Sequence, residues 1–125
     1  LPIGTNVPFH CTASGKVFMA SLAPKARRAF VSSIEMSRHT RATITTPDAL
    51  MEELKTISKQ GFAEDNEEFL DGMVAIAVPV CDLKGRYVSS LAVHGPAQRM
   101  SIAQAREMLP ALQSAAVKLR DALFV

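Results

Sequence analysis

The sequence lacks any long apolar run. No stretch approaches the ~20 consecutive apolar residues of a membrane-spanning helix, and the first ten residues, LPIGTNVPFH, have neither the basic flank nor the apolar segment of a signal peptide. The formal net charge is only +2, so the chain is not strongly basic either. These absences predict a cytoplasmic protein with no membrane partner.

Cysteine is also scarce. Cys11 and Cys81 are the only two in 125 residues, and they lie too far apart for a disulfide framework or a CxxC metal motif. We therefore expect two reduced thiols in a reducing compartment. Apolar residues make up 48% of the chain, enough for one core. The chain has no initiating Met and opens in loop-like sequence, which favours a start partway through a larger protein.

Apolar residues at helical spacing predict three helices in the first half. The first has Thr12 or Ser14 as its cap, and the second begins at Pro24. The third, in TTPDALMEELKTISKQG, is the clearest, with Thr46 as its cap, Pro47 in its first turn and Gly61 as its end.

The pattern changes to β-branched runs in the second half. A short strand at FAED is followed by GMVAIAVPVCD and GRYVSSLAVHG, which predict a hairpin with a two-residue turn at Lys84 and Gly85. Pro79 indicates an edge position or a bulge. A terminal helix is predicted from Ser101, with a bend at Pro110. This order predicts one domain of α+β class.

Several polar side chains are candidates for chemistry. His10, Asp65 and His94 offer donors that suit zinc or nickel, but their spacing is no known ligand signature. Cys11 is expected to be a small pocket or core residue, because the adjacent His10 is not by itself a catalytic base for it.

Charged residues have simpler interpretations. Lys16, one turn into the first helix, is expected to point to solvent, and the acidic run EDNEEFLD to form a solvated turn. Contact with phosphate is one interpretation of the basic stretch that holds Lys25, Arg27, Arg28, Arg38 and Arg41. It has no interleaved aromatics, however, and is expected to form the outer face of a small helix.

Three segments together resemble one known family. They are the opening GTNVPFHCTASGKVFMASL, the block QGFAEDNEEFLDGMVAIAVPVCDLKGRYVSSLAVHGPAQRM and the ending LPALQSAAVKLRDAL. In order and spacing they are similar to the C-terminal effector-binding domain of IclR-family bacterial transcriptional regulators, over nearly the whole chain.

The resemblance implies a GAF-like (profilin-like) α+β domain, with an antiparallel sheet flanked by helices around a small organic ligand. Residues 1–125 would form the C-terminal portion of that domain, without its N-terminal elements. It also implies a homo-oligomer, dimer or tetramer, that reaches operator DNA through a winged helix-turn-helix domain absent from this chain. No cofactor, metal or catalytic residue is implied.

The resemblance also places the ligand site. It implies that the turn at Ala13 and Ser14 offers backbone N–H groups at the start of a helix, which suit a carboxylate. Asp65 would accept a hydrogen bond from a ligand hydroxyl or carry a raised pKa. The full implied set is Ala13, Ser14, Asp65, Ala75, Ala92 and His94. Apolar walls are expected from Phe18, Met19, Leu22 and Met73.

Two other hypotheses stay open at this point. One is a metal-dependent or thiol enzyme that uses His10, Cys11, Asp65 and His94. The other is a pure oligomerisation module, in which side chains would fill the pocket.

Overall fold

Three helices, three strands and two further helices follow one another along residues 8–124, the part of the chain that the computed structural model describes. The elements are α1 (Ala13–Ser21), α2 (Pro24–Ser33), α3 (Pro47–Gln60), β1 (Ala63–Asn66), β2 (Met73–Cys81), β3 (Tyr87–Pro96), α4 (Ile102–Glu107) and α5 (Leu109–Leu123). This order confirms the predicted α+β class.

Thr12, one of the two caps predicted for the first helix, and Thr46, the cap predicted for the third, occupy the N-cap positions. The Thr12 hydroxyl accepts a hydrogen bond from the Gly15 amide at the start of α1, and the Thr46 hydroxyl accepts one from Ala49 at the start of α3. Gly61 ends α3 with φ of 83°, a left-handed conformation that glycine adopts at little cost. Local sequence therefore fixes where these helices begin and where α3 ends.

The sheet is antiparallel in the order β1-β2-β3. Its register aligns Asp65 with Ala75 and Ala75 with His94 across the three strands. Because directly paired residues point to the same face of a sheet, these three side chains share one face. That face also carries Ala77 and Ala92, which are paired two positions along.

A hydrophobic core lies on each face of the sheet. On the Asp65 face, α1 and α3 pack through a set of small and branched side chains that includes Ala13, Val17 and Leu54. On the opposite face, Ile76 and Val78 pack against α4 and α5. The sheet is thus a middle layer between two layers of helix, and its Asp65 face meets the start of α1.

Two predicted details of the second half are wrong. The hairpin loop is not a two-residue turn but spans residues 82–86, because the Asp82 carboxylate accepts hydrogen bonds from the amides of Lys84 and Arg86 and holds a wider loop. The terminal helix is not bent but divided, with α4 ending at Glu107 and α5 beginning at Leu109. Pro110 occupies the first turn of α5, where its missing N–H leaves no helical hydrogen bond unmade.

Pro79 lies in the central strand of the sheet, but in a part of that strand that is paired on one side only. In β2 it lies beyond Val74–Ala77, the residues that pair with β1, and a register irregularity follows at Val80 and Cys81. Proline lacks the N–H that a second neighbouring strand would need, so β2 accommodates it where it has one partner strand among the described residues.

Candidate functional site

A cavity of about 410 Å³ lies where the start of α1 meets the Asp65 face of the sheet. Its lining consists of Thr12, Ser14, Asp65, Phe69, Leu70, Met73, Val74 and His94. The volume falls within the range of about 300–1,000 Å³ that is typical of small-molecule sites. Helix end, sheet face and the loop after β1 thus enclose one space.

The structure brings three of the six implied site residues to this cavity. Ser14 stands in the first turn of α1, and Asp65 and His94 stand on β1 and β3. Ala75 is 1% exposed and lies between Asp65 and His94 in the sheet register.

The other two implied residues lie in the packing around it. Ala13 is fully buried in the core between α1 and the sheet, and Ala92 packs partly buried against the same core. Neither side chain lines the cavity.

The apolar wall is only in part the expected one. Met73 lines the cavity, whereas Met19 is a core residue and Phe18 belongs to an aromatic cluster with Phe9 and Phe30. The spacing of residues along α1 does not distinguish core residues from cavity-lining residues, because the same face of the helix contacts both the core and the cavity.

Phe69 and Leu70 line the cavity without having been anticipated. These two residues are an apolar pair inside the acidic run EDNEEFLD. An apolar pair within a polar segment is the pattern in the sequence from which their place at a cavity or a core could have been predicted. The acidic run itself is not the solvated turn that the sequence predicts, because Asp65 and Glu68 are buried.

Asp65 is held in place by the loop that follows β1. Its Oδ1 accepts a hydrogen bond of 2.8 Å from the backbone amide of Glu68, and only 6% of the residue is exposed. Burial raises the pKa of the Asp65 carboxyl above its ordinary value, although the Glu68 amide and the nearby Lys16 ammonium partly offset this. The Asp65 carboxyl can accept a hydrogen bond inside the cavity, and its protonated form can also donate one.

The start of α1 contributes backbone donors. The first amides of a helix have no partner within the helix, and the Thr12 hydroxyl takes one of them, from Gly15. The amides of Ala13 and Ser14 precede it in the first turn, at the positive end of the helix dipole.

Lys16 is the largest departure from expectation. It is not directed to solvent but is fully buried, because its ammonium donates to Glu53 Oε2 at 2.8 Å, Glu68 Oε1 at 2.8 Å and the Glu64 carbonyl oxygen at 2.6 Å. Burial alone would lower the pKa of Lys16, but the carboxylates of Glu68 and Glu53 outweigh it and the pKa is raised. All three ammonium protons are used, so Lys16 fixes α1 to α3, to β1, which carries Asp65, and to the loop after β1.

Glu68 completes this polar cluster. Burial raises the pKa of the Glu68 carboxyl, and the attraction of the Lys16 ammonium partly offsets this by lowering it. Lys16 and Glu68 form an ion pair, because a buried ammonium requires a nearby negative charge and the carboxylates of Glu53 and Glu68 supply it. Thr40 and Thr43 donate to the backbone carbonyls of Glu67 and Glu68, so the loop is pinned from a second side.

Arg27 also departs from expectation. It is buried rather than on the outer face of α2, because its guanidinium donates to the carbonyls of Ala20 and Leu22 at the end of α1. Lys25 and Arg28 are exposed as predicted.

The thiol of Cys11 is unsuited to nucleophilic chemistry. Burial, followed by the charges of Asp65 and Glu68, raises its pKa to about 12. The thiolate is the reactive form, so at neutral pH almost no nucleophile is present. Cys11 is 0% exposed, which confirms the expectation of a buried residue.

Other clefts lack this chemistry. One of about 490 Å³ lies between α1, α3 and the hairpin loop, and one of about 550 Å³ lies beside Phe9 and Tyr87. Within the described part of the chain, neither is lined by a buried titratable side chain.

None of the helices in residues 8–124 combines the length and hydrophobicity required to cross a bilayer.

Comparison with known proteins agrees with this architecture. The family model described as bacterial transcriptional regulator IclR C-terminal matches residues 1–120. The HTH-type transcriptional regulator BhcR of Paracoccus denitrificans is 37% identical over 118 residues, which cover 94% of this chain and 42% of BhcR. The chain spans less than half the length of the curated relatives it matches.

Solved structures give the same result. The C-terminal domain of the Escherichia coli transcriptional regulator KdgR superposes with a TM-score of 0.86 at 35% identity, over 95% of this chain and 73% of that chain. A double mutant of the PobR inducer-binding domain from Acinetobacter, in complex with 3-hydroxybenzoic acid, gives 0.87 at 28% identity, over 95% and 69%. The relatives are transcriptional regulators, and no enzyme family is indicated. The chain belongs to the IclR family of bacterial transcriptional regulators and is a C-terminal effector-binding domain of that family.

Proposed function

We propose that this chain senses a small organic acid, which binds in the cavity between the start of α1 and the Asp65 face of the sheet. One observation carries the proposal. The start of α1, whose first amides have no partner within the helix, and a buried carboxyl of raised pKa border the same cavity of about 410 Å³. That combination recognises a molecule with a carboxylate at one end and a hydroxyl or keto group at the other.

The carboxylate would lie at the α1 end. The amides of Ala13 and Ser14 supply donors and a positive dipole without a charged side chain, which suits an anion in a small space. The Ser14 hydroxyl, which stands at the cavity wall, is a further donor.

The far end of the ligand would meet the sheet. Asp65 accepts a hydrogen bond from a ligand hydroxyl, or donates one to a keto oxygen while it holds its proton. Ala75, between Asp65 and His94 in the sheet register, leaves room on this face because it presents only a methyl group. His94, exposed at the cavity wall, donates to the ligand or closes its solvent side.

The relatives support this chemistry. The solved PobR domain holds 3-hydroxybenzoic acid, which carries one carboxylate and one hydroxyl. We infer a ligand of the same class, a hydroxy acid or a keto acid of similar size.

In the full-length protein, the bound acid would change affinity for operator DNA through a DNA-binding part outside this chain. A coupling of about 1–3 kcal/mol between the two sites is enough for such regulation. The protein would act in the cytoplasm as a homo-oligomer, dimer or tetramer.

A thermal-shift screen of the full-length protein tests the proposal. The panel contains 3-hydroxybenzoate and small aliphatic hydroxy and keto acids. A ligand at a hundred times its dissociation constant stabilises the folded state by about 2.7 kcal/mol. We expect one acid to raise the melting temperature of the wild type and to lose that effect in Asp65→Asn.

A matched control separates the cavity from other clefts. Arg86 lines the cleft of about 490 Å³ and is exposed, so Arg86→Ala should keep the full shift. A shift that is lost in Arg86→Ala and kept in Asp65→Asn would contradict the proposed site, and no shift with any acid would favour an oligomerisation module.

A further inference from the structure

A second cluster of side chains lies just before α1, apart from the cavity lining. His10 and Cys11 precede the helix, and His39 comes from the segment between α2 and α3. One ligand atom from each of these residues lies within 4.8 Å of the others. Among residues 8–124 this is the one group of three histidine, cysteine or acidic side chains close enough to share a metal ion.

The orientation of His10 is that of a metal ligand. Its Nε2 lies 2.8 Å from the backbone carbonyl oxygen of Ser37, and a carbonyl oxygen can only accept, so Nε2 carries the proton. This leaves a lone pair on Nδ1. Metal-binding histidines commonly have this second contact, a ring N–H donated to a backbone carbonyl.

The lone pair on His10 Nδ1 accepts no hydrogen bond from the described part of the chain. The residue is 1% exposed. Buried polar atoms nearly always have a partner, so an orphaned acceptor points to a missing one. A metal ion would supply it.

Cys11 and His39 complement this nitrogen. Cys11 is fully buried, which leaves its sulfur available to an internal ion rather than to solvent. His39 is exposed, and its ring lies beside those of His10 and Phe69, with centroids 5.8 Å and 5.3 Å away. Its backbone amide donates to the Thr43 hydroxyl, so the segment that carries it is anchored while the ring can turn.

We propose that His10 Nδ1, Cys11 Sγ and a ring nitrogen of His39 bind a zinc ion, with a solvent molecule in the fourth position. Two imidazoles and a thiolate are ligands that zinc prefers, and tetrahedral zinc places such atoms about 3.3–3.8 Å apart. A rotation of the exposed His39 ring closes the remaining gap. On binding, the Cys11 thiol loses its proton to the buffer, and no other bond changes.

The site would join two segments of the chain. The ion would tie the residues before α1 to the connection between α2 and α3, next to Phe69, which also lines the acid-binding cavity. The proposal does not depend on the identity of the acid or on whether an acid binds.

Cobalt is the probe, because it takes zinc sites and absorbs visible light. The full-length protein, stripped with chelator and kept reduced, is titrated with Co²⁺, and zinc is then added in competition. We expect one Co²⁺ per chain, the visible bands of a tetrahedral ion, and a thiolate-to-cobalt charge-transfer band in the near ultraviolet. Zinc should abolish all of these bands.

Substitutions assign the ligands. Cys11→Ser should remove the charge-transfer band, and His39→Ala, at an exposed position, should weaken binding by about tenfold or more. The chain supplies matched controls, since Cys81→Ser and His94→Gln change the remaining cysteine and the remaining histidine. Both should keep the bands and the affinity.

Three results would overturn the proposal. They are a titration with no stoichiometric binding, a charge-transfer band that survives Cys11→Ser, and a loss of affinity in His94→Gln equal to that in His39→Ala.

Discussion

The ammonium nitrogen of Lys16 lies 2.8 Å from Glu68 Oε1 with both side chains almost wholly buried. The pair connects α1, which carries Ser14, to the loop that follows β1, the strand that carries Asp65. Ser14 and Asp65 line the same cavity. The geometry of the candidate site thus depends on an ion pair that does not itself line it.

Removal of Lys16 should be severely destabilising. Lys16→Met leaves the buried Glu68 carboxylate without its cation, and the loss of one partner of a buried pair costs about 3–5 kcal/mol. Urea unfolding measures this difference. Glu53, whose side chain is 37% exposed, is the matched control, and Glu53→Gln should cost only about 0–1 kcal/mol.

A double variant separates charge from shape in the same pair. Lys16→Met combined with Glu68→Gln removes both charges and should recover part of the loss, because no uncompensated ion remains. Equal destabilisation in the single and double variants would show that the pair contributes packing rather than charge.

Gly15 should not tolerate a methyl group. A Cβ at this position would lie 2.6 Å from the carbonyl oxygen and 2.7 Å from the Cα of Phe9, both backbone atoms that cannot move independently. Gly15→Ala should therefore lower the free energy of unfolding by about 1–3 kcal/mol, although alanine favours helix elsewhere. Ser58→Ala, at an exposed position in α3, serves as the control and should change stability by less than about 0.5 kcal/mol. Equal stability of the two variants would contradict the close approach of Phe9.

Asp65 should make stability fall as the pH rises from acid to neutral. Burial raises the pKa of Asp65 in the folded state. Its contribution to the free energy of unfolding is therefore fully present below the ordinary pKa of an aspartate, and it is lost as the pH rises through the raised pKa. Asp65→Asn does not titrate. The unfolding free energy of the wild type, relative to this variant, should decrease between about pH 3 and neutral pH, measured by urea unfolding at each pH. A difference that increases with pH would show an Asp65 stabilised as the anion.

Cys11 should resist alkylation in the folded protein. Its thiol is buried and its pKa is raised to about 12, whereas Cys81 is only partly buried. Iodoacetamide at mildly alkaline pH, followed by peptide mass spectrometry, should label Cys81 first, and both cysteines equally in denaturant. Faster labelling of Cys11 in the folded state would revive the hypothesis of a thiol enzyme.

Sequence reasoning succeeded where the determinants are local. Thr46, Pro47 and Gly61 define the ends of α3 within one turn of chain, so no distant contact is needed to place them. It failed for Lys16, because the partners that permit its burial, Glu53 and Glu68, lie 37 and 52 residues further along.

The same limit applies to the two clusters of side chains. The pairing of Asp65 with Ala75 and of Ala75 with His94 follows from strand register, which family resemblance anticipates and periodicity alone does not. His39 was not singled out, because nothing in its neighbourhood of the sequence indicates that the turn before α1 approaches it.

The most direct test of the acid-sensing account is titration calorimetry of the acid selected by the screen, with the full-length wild type, Asp65→Asn and Arg86→Ala. The account predicts that Asp65→Asn weakens binding by about tenfold or more, since about 1.4 kcal/mol of lost interaction is a factor of ten, and that Arg86→Ala binds like the wild type. Unchanged affinity in Asp65→Asn, together with weakened binding in Arg86→Ala, would move the ligand out of this cavity and contradict the account.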